Sequence, residues 1–132
     1  MLNVVIDTNV IVSAALSPSG SPAKIIDFIA DNNEVQIYYS ADILTEYREV
    51  LSRPRLNIDD EIINHVVNLI KKVGVSIEAT PSAMPMPDEA DRIFYDTARA
   101  AGAILITGNI KHYPAESFIM TPVDFLKKVE SR

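Results

Sequence analysis

The chain has 132 residues, 48% hydrophobic and 23% charged, with a formal net charge of −6. Such a chain suits one domain over residues 1–132 with one core, and its acidity taken alone argues against a broad nucleic-acid-binding surface. It contains no cysteine, which excludes a disulfide framework, thiolate metal sites and a cysteine nucleophile. No apolar run reaches the ~18 residues of a membrane span, and the N-terminus lacks the basic flank and cleavage site of a signal peptide. A cytoplasmic protein without a membrane partner is expected.

Residues 2–6 open the chain as a strand, whose continuous β-branched run Val4-Val5-Ile6 is the pattern of burial on both faces. Asp7 follows at its end, where an unpaired carboxylate is costly and where open α/β sheets bind ligands. Val10 to Leu16 continues as a short helix. Ser17-Pro18-Ser19-Gly20 is a turn cluster, and Ser21-Pro22 places a cap before a proline at the start of the next helix, which runs to about Asn32. Val35 to Tyr39 reads as a second strand. Ser40 caps a helix ending near Arg53-Pro54-Arg55, and Asp59 or Asp60 opens another that stops at Gly74. Val75 to Ile77 is a third strand, and Pro81, Pro85 and Pro87 stiffen the connector after it. Asp88 begins a helix stopped by Gly102. Ala103 to Ile106 and Phe118 to Met120 are strands, and Pro122 to Val129 is a last helix. Strands alternating with helices predict an α/β fold with a parallel sheet covered on both faces.

Helical phase selects among the acids. In the helix from Ser40, Ile43, Leu44, Tyr47, Val50 and Leu51 form the buried stripe. Glu46 falls at the stripe's edge and Glu49 near the opposite face, at ~100° per residue. Glu46 can equally be a boundary carboxylate paired with Arg53 or Arg48. In the helix from Asp88, the predicted stripe is Ala90, Ile93, Phe94, Thr97, Ala98 and Ala101, with Asp91 at its edge. Asp88 fits a cap, and Asp96 is expected to point away. Asn109 follows the strand Ile104-Leu105-Ile106 on the same sheet edge as Asp7; an Asx turn beside Gly108 also accounts for it. Three carboxylates and an amide form an oxygen-rich set suited to Mg²⁺ or Mn²⁺. Zinc is disfavoured, because only His65 and His112 offer nitrogen ligands, and His65 reads as a surface residue.

At these residues the chain resembles the PIN-domain ribonucleases, and within them the toxin-like PIN proteins of prokaryotic toxin–antitoxin systems. The resemblance rests on Val5-Ile6-Asp7-Thr8-Asn9-Val10, Glu46 to Leu56 with its Arg-Pro step, Asp88-Glu89-Ala90-Asp91 followed by Ala98, Ile104 to Asn109 with His112-Tyr113-Pro114, and Thr121 to Leu126. It departs at Asn109, where many members carry aspartate.

The resemblance implies a three-layer α/β/α sandwich with a parallel sheet of about five strands. It implies Mg²⁺- or Mn²⁺-dependent hydrolysis of RNA, with Asp7 and Asp91 as direct metal ligands. Glu46 would bind the metal directly or through water, and Asn109 would complete the shell or orient a water. Thr8, Asn9 and Thr107 would orient the carboxylates; Ser13 fits core packing or bonding within its helix better. Arg48, Arg53, Arg55, Arg92, Lys111 and His112 are candidate phosphate contacts around the cleft, and Tyr113 or Tyr47 could stack a base, although core packing fits Tyr47 better. A cognate antitoxin and a homodimer are the partners the resemblance implies.

The alternative is a non-catalytic RNA- or protein-binding module of the same fold, suggested by Asn109 and the acidic charge. A haloacid-dehalogenase-like phosphatase would need a second aspartate where Asn9 stands, and neither the acidic pair nor the lysine of a receiver-like domain is convincing.

Overall fold

The computed structural model describes residues 1–131. Five strands, β1 (Leu2–Ile6), β2 (Val35–Tyr39), β3 (Val75–Ser76), β4 (Ile104–Ile106) and β5 (Ile119–Met120), form one sheet in the order β3-β2-β1-β4-β5. All four pairings are parallel. Six α-helices cover it: α1 (Thr8–Leu16), α2 (Ser21–Asp31), α3 (Ala41–Leu51), α4 (Asp60–Val73), α5 (Arg92–Ala101) and α6 (Pro122–Glu130). The architecture is the expected three-layer α/β/α sandwich.

The central strands are the most apolar, as burial on both faces requires. Val4, Val5, Ile6, Leu105 and Ile106 are fully buried. On one face, Ile26 and Ile29 of α2 and Ile70 and Val73 of α4 enclose a space with Ile6 and Ile37. On the other, α5 lies across β1, β2 and β4. This follows from the chain direction. The chain steps outward from β1 to β3, then returns over the sheet to reach β4, and a right-handed return puts its helix on the opposite face.

The reversal occurs between β1 and β4, so their C-terminal ends flank a crevice. In such a sheet this is where ligands bind. Ile6 pairs with Ile106, and the Asp7 N–H donates to the Ile106 carbonyl at 2.9 Å.

Three local expectations are corrected. Ser21 is the first residue of α2 and Gly20 its cap. Asp88 does not open α5; its Oδ1 accepts the Ala90 N–H at 3.0 Å and caps a 3-10 turn, Glu89–Asp91, after which α5 begins at Arg92. Asp96, expected to face solvent, is only 7% exposed. The cause is the connector, which packs back on α5. The Ser82 N–H donates to Asp96 Oδ2 at 3.0 Å, and the Arg92 guanidinium donates to the carbonyls of Ser82 and Met84 at 2.7 Å each. With sheet on one side and connector on the other, α5 buries Tyr95 and Asp96 as well as Phe94, Thr97 and Ala98 of the expected stripe; Ile93 and Ala101 are half-buried, and Ala90, in the 3-10 turn, is exposed.

Candidate functional site

Asp7 ends β1 and caps α1 through its backbone: its carbonyl accepts the N–H of Val10 at 3.1 Å. Its side chain caps nothing and turns instead toward the β4 side. Its Oδ2 accepts the Thr107 hydroxyl at 2.8 Å and the Tyr113 hydroxyl at 2.7 Å. Both donors are buried. Among the described residues nothing donates to Asp7 Oδ1, so one carboxylate oxygen is fixed and the other is unbonded.

Thr107 is itself locked. Its Oγ1 accepts the Asn109 N–H at 3.1 Å and the Asn9 side-chain amide at 3.5 Å. Asn9 Oδ1 also accepts the Gly108 N–H at 3.0 Å, tying the start of α1 to the loop after β4. Thr8, Asn9 and Thr107 thus all brace the carboxylate shell or the loops around it.

Glu46 reaches the site from α3. The Thr8 hydroxyl donates to its Oε2. The neighbouring Tyr47 is fully buried, and its hydroxyl donates to the carbonyl of Ile6, one residue before Asp7. Burial raises the Glu46 pKa, the Thr8 hydrogen bond opposes that, and Asp7 raises it further. Neither arginine considered for Glu46 bonds it: Arg53, whose charge slightly favours the ionised Glu46, bridges Glu49 at 3.1 Å, and Arg48 donates to Asn64 of α4 at 3.0 Å.

Asp91 stands where the 3-10 turn meets α5. Its Oδ2 is buried and accepts no hydrogen bond, and His112 Nδ1 lies 3.6 Å away, too long for one. Burial, then the charges of Asp7 and Asp88, push its pKa up to about 6, against a smaller opposing effect of His112. Asp7, Glu46 and Asp91 therefore feel one another's charge. A carboxylate held dry, unbonded and beside other acids is the environment a divalent cation relieves. Among the described residues, no three His, Asp or Glu groups stand close enough to hold a metal ion without further adjustment.

Asn109 uses its backbone on Thr107, and its side chain lines a small pocket with Asn9, Ser13 and Pro22. Of the expected phosphate contacts, Arg55 and Lys111 are exposed and His112 flanks Asp91. Arg92 is different: its donors are engaged by Glu89, Ser82 and Met84, so it fastens the connector rather than facing a cleft. Tyr113 is buried against Asp7 and cannot stack a base. Tyr47 is buried as its place in the α3 stripe requires, but the hydroxyl partners of both tyrosines were missed because a phenol's partner is set by the fold; the polar head on an otherwise apolar position was the available signal.

The family model of the PIN domain matches residues 3–111, which span every one of these groups except Tyr113 and His112. The chain belongs to the PIN domain family. PIN domains are in general nucleases that use divalent metal ions. The chain is also 34% identical over 111 residues to an uncharacterized protein, MJ1680 of Methanocaldococcus jannaschii, covering 82% of this chain and 71% of that one. Among solved structures, PAE2754 from Pyrobaculum aerophilum superposes with a TM-score of 0.64 at 12% identity, covering 99% of this chain and 91% of that one. VapBC2 from Rickettsia felis, bound to a DNA fragment from its promoter, superposes with a TM-score of 0.58 at 18% identity, covering 91% and 97%. Both confirm the PIN fold. No described helix of this PIN domain is long and apolar enough to cross a membrane.

Proposed function

We propose that this PIN domain is a Mg²⁺- or Mn²⁺-dependent endoribonuclease and the toxin of a toxin–antitoxin pair. The observation that carries the reading is the pairing of Asp7, with one carboxylate oxygen pinned by two hydroxyls, and Asp91, with a buried oxygen left unbonded. Asp7, Glu46 and Asp91 would hold the cation, and Asn109 would supply a neutral oxygen at the rim. A bound divalent cation supplies an activated water near neutral pH and offsets charge developing at phosphorus.

The chain's own groups do the remaining work. The Thr107 and Tyr113 hydroxyls both bond Asp7 Oδ2 and so hold its other oxygen in one direction. The Thr8 hydroxyl fixes the Glu46 rotamer. The exposed Lys111, Arg55 and His112 would meet RNA phosphates, which an acidic cleft would otherwise repel. The VapBC2 likeness supports an antitoxin partner that covers the acids, and a homodimer accords with that reading.

The test is cleavage of RNA with Mg²⁺ or Mn²⁺, run beside Asp7→Asn and an EDTA control. Cleavage by the wild type alone, lost in EDTA, is the expected result. Equal degradation by wild type and Asp7→Asn would mean contamination and would remove the catalytic claim. The second reading, a non-catalytic module, is favoured by the amide at Asn109 and by the absence of a preassembled three-residue cluster among the described residues; cation binding without cleavage of any RNA would select it.

A further inference from the structure

A cavity of about 220 Å³ adjoins the Asp7 crevice, between the first half of α1, the start of α2, the loop after β4 and the start of α6. Asn9, Ser13 and Asn109 give it polar edges, and Val10, Pro22 and Pro122 give it apolar wall. Two hydrogen bonds tie it to Asp7. The Asn9 amide donates to Thr107 Oγ1 at 3.5 Å, and the Thr107 hydroxyl donates to Asp7 Oδ2 at 2.8 Å. In a chain of net charge −6, none of the residues lining this cavity is ionisable.

Its polar groups divide into committed and free. Asn9 uses both ends of its amide, on Thr107 and on the Gly108 N–H. Asn109 is half-buried, and its side-chain amide makes no hydrogen bond among the described residues. Ser13 serves neither the core nor its own helix, as had been expected of it. It is exposed, and unlike Thr45, whose hydroxyl donates to the Ala41 carbonyl at 3.0 Å, it makes no side-chain hydrogen bond among the described residues. Ser13 stands four residues after Asn9 on α1, so the two share a face. With the Asn109 oxygen given to the cation, its Nδ2 group and the Ser13 hydroxyl are left to the cavity, and both can donate.

A neutral cavity offers no charge partner to a phosphate or to a cation. A wholly apolar guest would leave the free donors unpaired. A flat, uncharged ring with a carbonyl oxygen on its edge satisfies both the apolar wall and the donors. Single-stranded RNA splays out such rings beside its phosphates. We propose that this cavity holds the nucleobase next to the scissile phosphate, and that Asn109 Nδ2 and the Ser13 hydroxyl select a carbonyl-bearing edge. Uracil and guanine present an acceptor oxygen where cytosine and adenine present an exocyclic amine, so uracil and guanine are the favoured bases. The inference rests on the ribonuclease reading and names the part of the substrate that its site selects.

The first arm of the test is an amide-resolved NMR titration of the full chain in Mg²⁺-containing buffer with adenosine, cytidine, guanosine and uridine, separately. Saturable shifts at Ser13, Gly108 and Asn109 with uridine or guanosine are expected, with Kd on the order of 1–10 mM. Cytidine and adenosine should bind about two- to tenfold more weakly. Uridine ahead of guanosine assigns the cavity to a pyrimidine, and the reverse order to a purine. Asn109→Asp replaces the donor by an acceptor and should turn the preference toward cytidine or adenosine. Ser13→Leu fills the cavity from an exposed helix position and should remove the shifts. The second arm sequences the ends of RNA cut by wild type and by Ser13→Leu. Wild type should cut beside the base that binds best. Ser13→Leu should lose that preference and raise KM about tenfold, its effect falling on KM rather than kcat. The proposal is overturned if the four nucleosides bind alike or shift nothing in the cavity, or if Asn109→Asp keeps the wild-type preference. Cleavage by Ser13→Leu at the wild-type sites removes it too and leaves the ribonuclease reading standing. Selective nucleoside binding without cleavage of any RNA removes the ribonuclease reading and leaves the cavity as a base site. Should Ser13→Leu not fold, Asn109→Asp and the shift pattern decide.

Discussion

Tyr113 and Asp91 show how single groups set the chemistry of the cleft. The Tyr113 phenol is pushed well above its ordinary pKa by burial and by Asp7, so it donates its proton at every working pH. Tyr113→Phe keeps the ring and deletes one of the two donors to Asp7. It should destabilise the fold by about 1.5–3 kcal/mol, the range for a hydrogen bond to a charged group, and weaken metal affinity about 10–100-fold. Denaturant titration and a Mg²⁺ dependence of cleavage check the two effects separately.

For Asp91 the sign runs the other way from a salt-bridged acid. Its folded pKa is raised, to about 6 from 3.8. Between those values the folded state binds a proton that the unfolded state does not, so stability rises as pH falls through this window. Above about pH 6 the ionised Asp91 costs the metal-free fold up to about 3 kcal/mol. Asp91→Asn should therefore raise the melting temperature in EDTA at neutral pH, and the gain over wild type should vanish near pH 4. A variant that melts lower than wild type at neutral pH would contradict this account.

The elements are held by devices of different strength, and two glycines separate them. Gly102 ends α5 with φ of +60°, and a Cβ there meets nothing within 4 Å. Gly74 ends α4 in an extended conformation, φ −95°, but a Cβ would fall 2.5 Å from the Ile70 carbonyl and 2.8 Å from the Tyr39 ring. Gly102→Ala pays only backbone strain, about 1 kcal/mol. Gly74→Ala forces β2 and α4 apart and should cost about 2–3 kcal/mol. Urea denaturation of the pair should rank them in that order, the reverse of what the dihedral angles alone suggest.

Element positions were largely legible, because period and punctuation are local. The run 2–6, the Ser40 cap and the Gly102 stop are all where their residue types require. The start of α5 was not. Asp88 and Asp91 both satisfy helix-start chemistry, and the 3-10 turn between them is chosen by how the connector lies on α5. Asp96 was misplaced for the same reason: helical phase sorts residues into two sides, but α5 is covered on both.

Across the whole molecule, the strand order decides where function can sit. The reversal between β1 and β4 puts Asp7 and Thr107 at one crevice, while α3 brings Glu46 to it and the 3-10 turn before α5 brings Asp91. A cation that binds only the folded state stabilises it in proportion to log concentration, about 2.7 kcal/mol at 100 times Kd. Mg²⁺ should therefore raise the melting temperature, and raise it less at pH 5.5 than at 7.5, because protons compete for Asp91. An equal rise at both pH values would show that Asp91 is not a ligand.

The sequence by itself determined the α/β class, the helix and strand types and the acids worth watching, since apolar period and helical phase are properties of neighbouring residues. Only the tertiary structure decided which oxygen of Asp7 is held and by whom. Thr107 and Tyr113 lie about a hundred residues from Asp7 along the chain, and a hydrogen bond at that separation is set by strand pairing and helix packing. The unbonded oxygens of Asp91 and Asp96 arise in the same way. Burial on two sides is decided by what packs there, which no local pattern encodes.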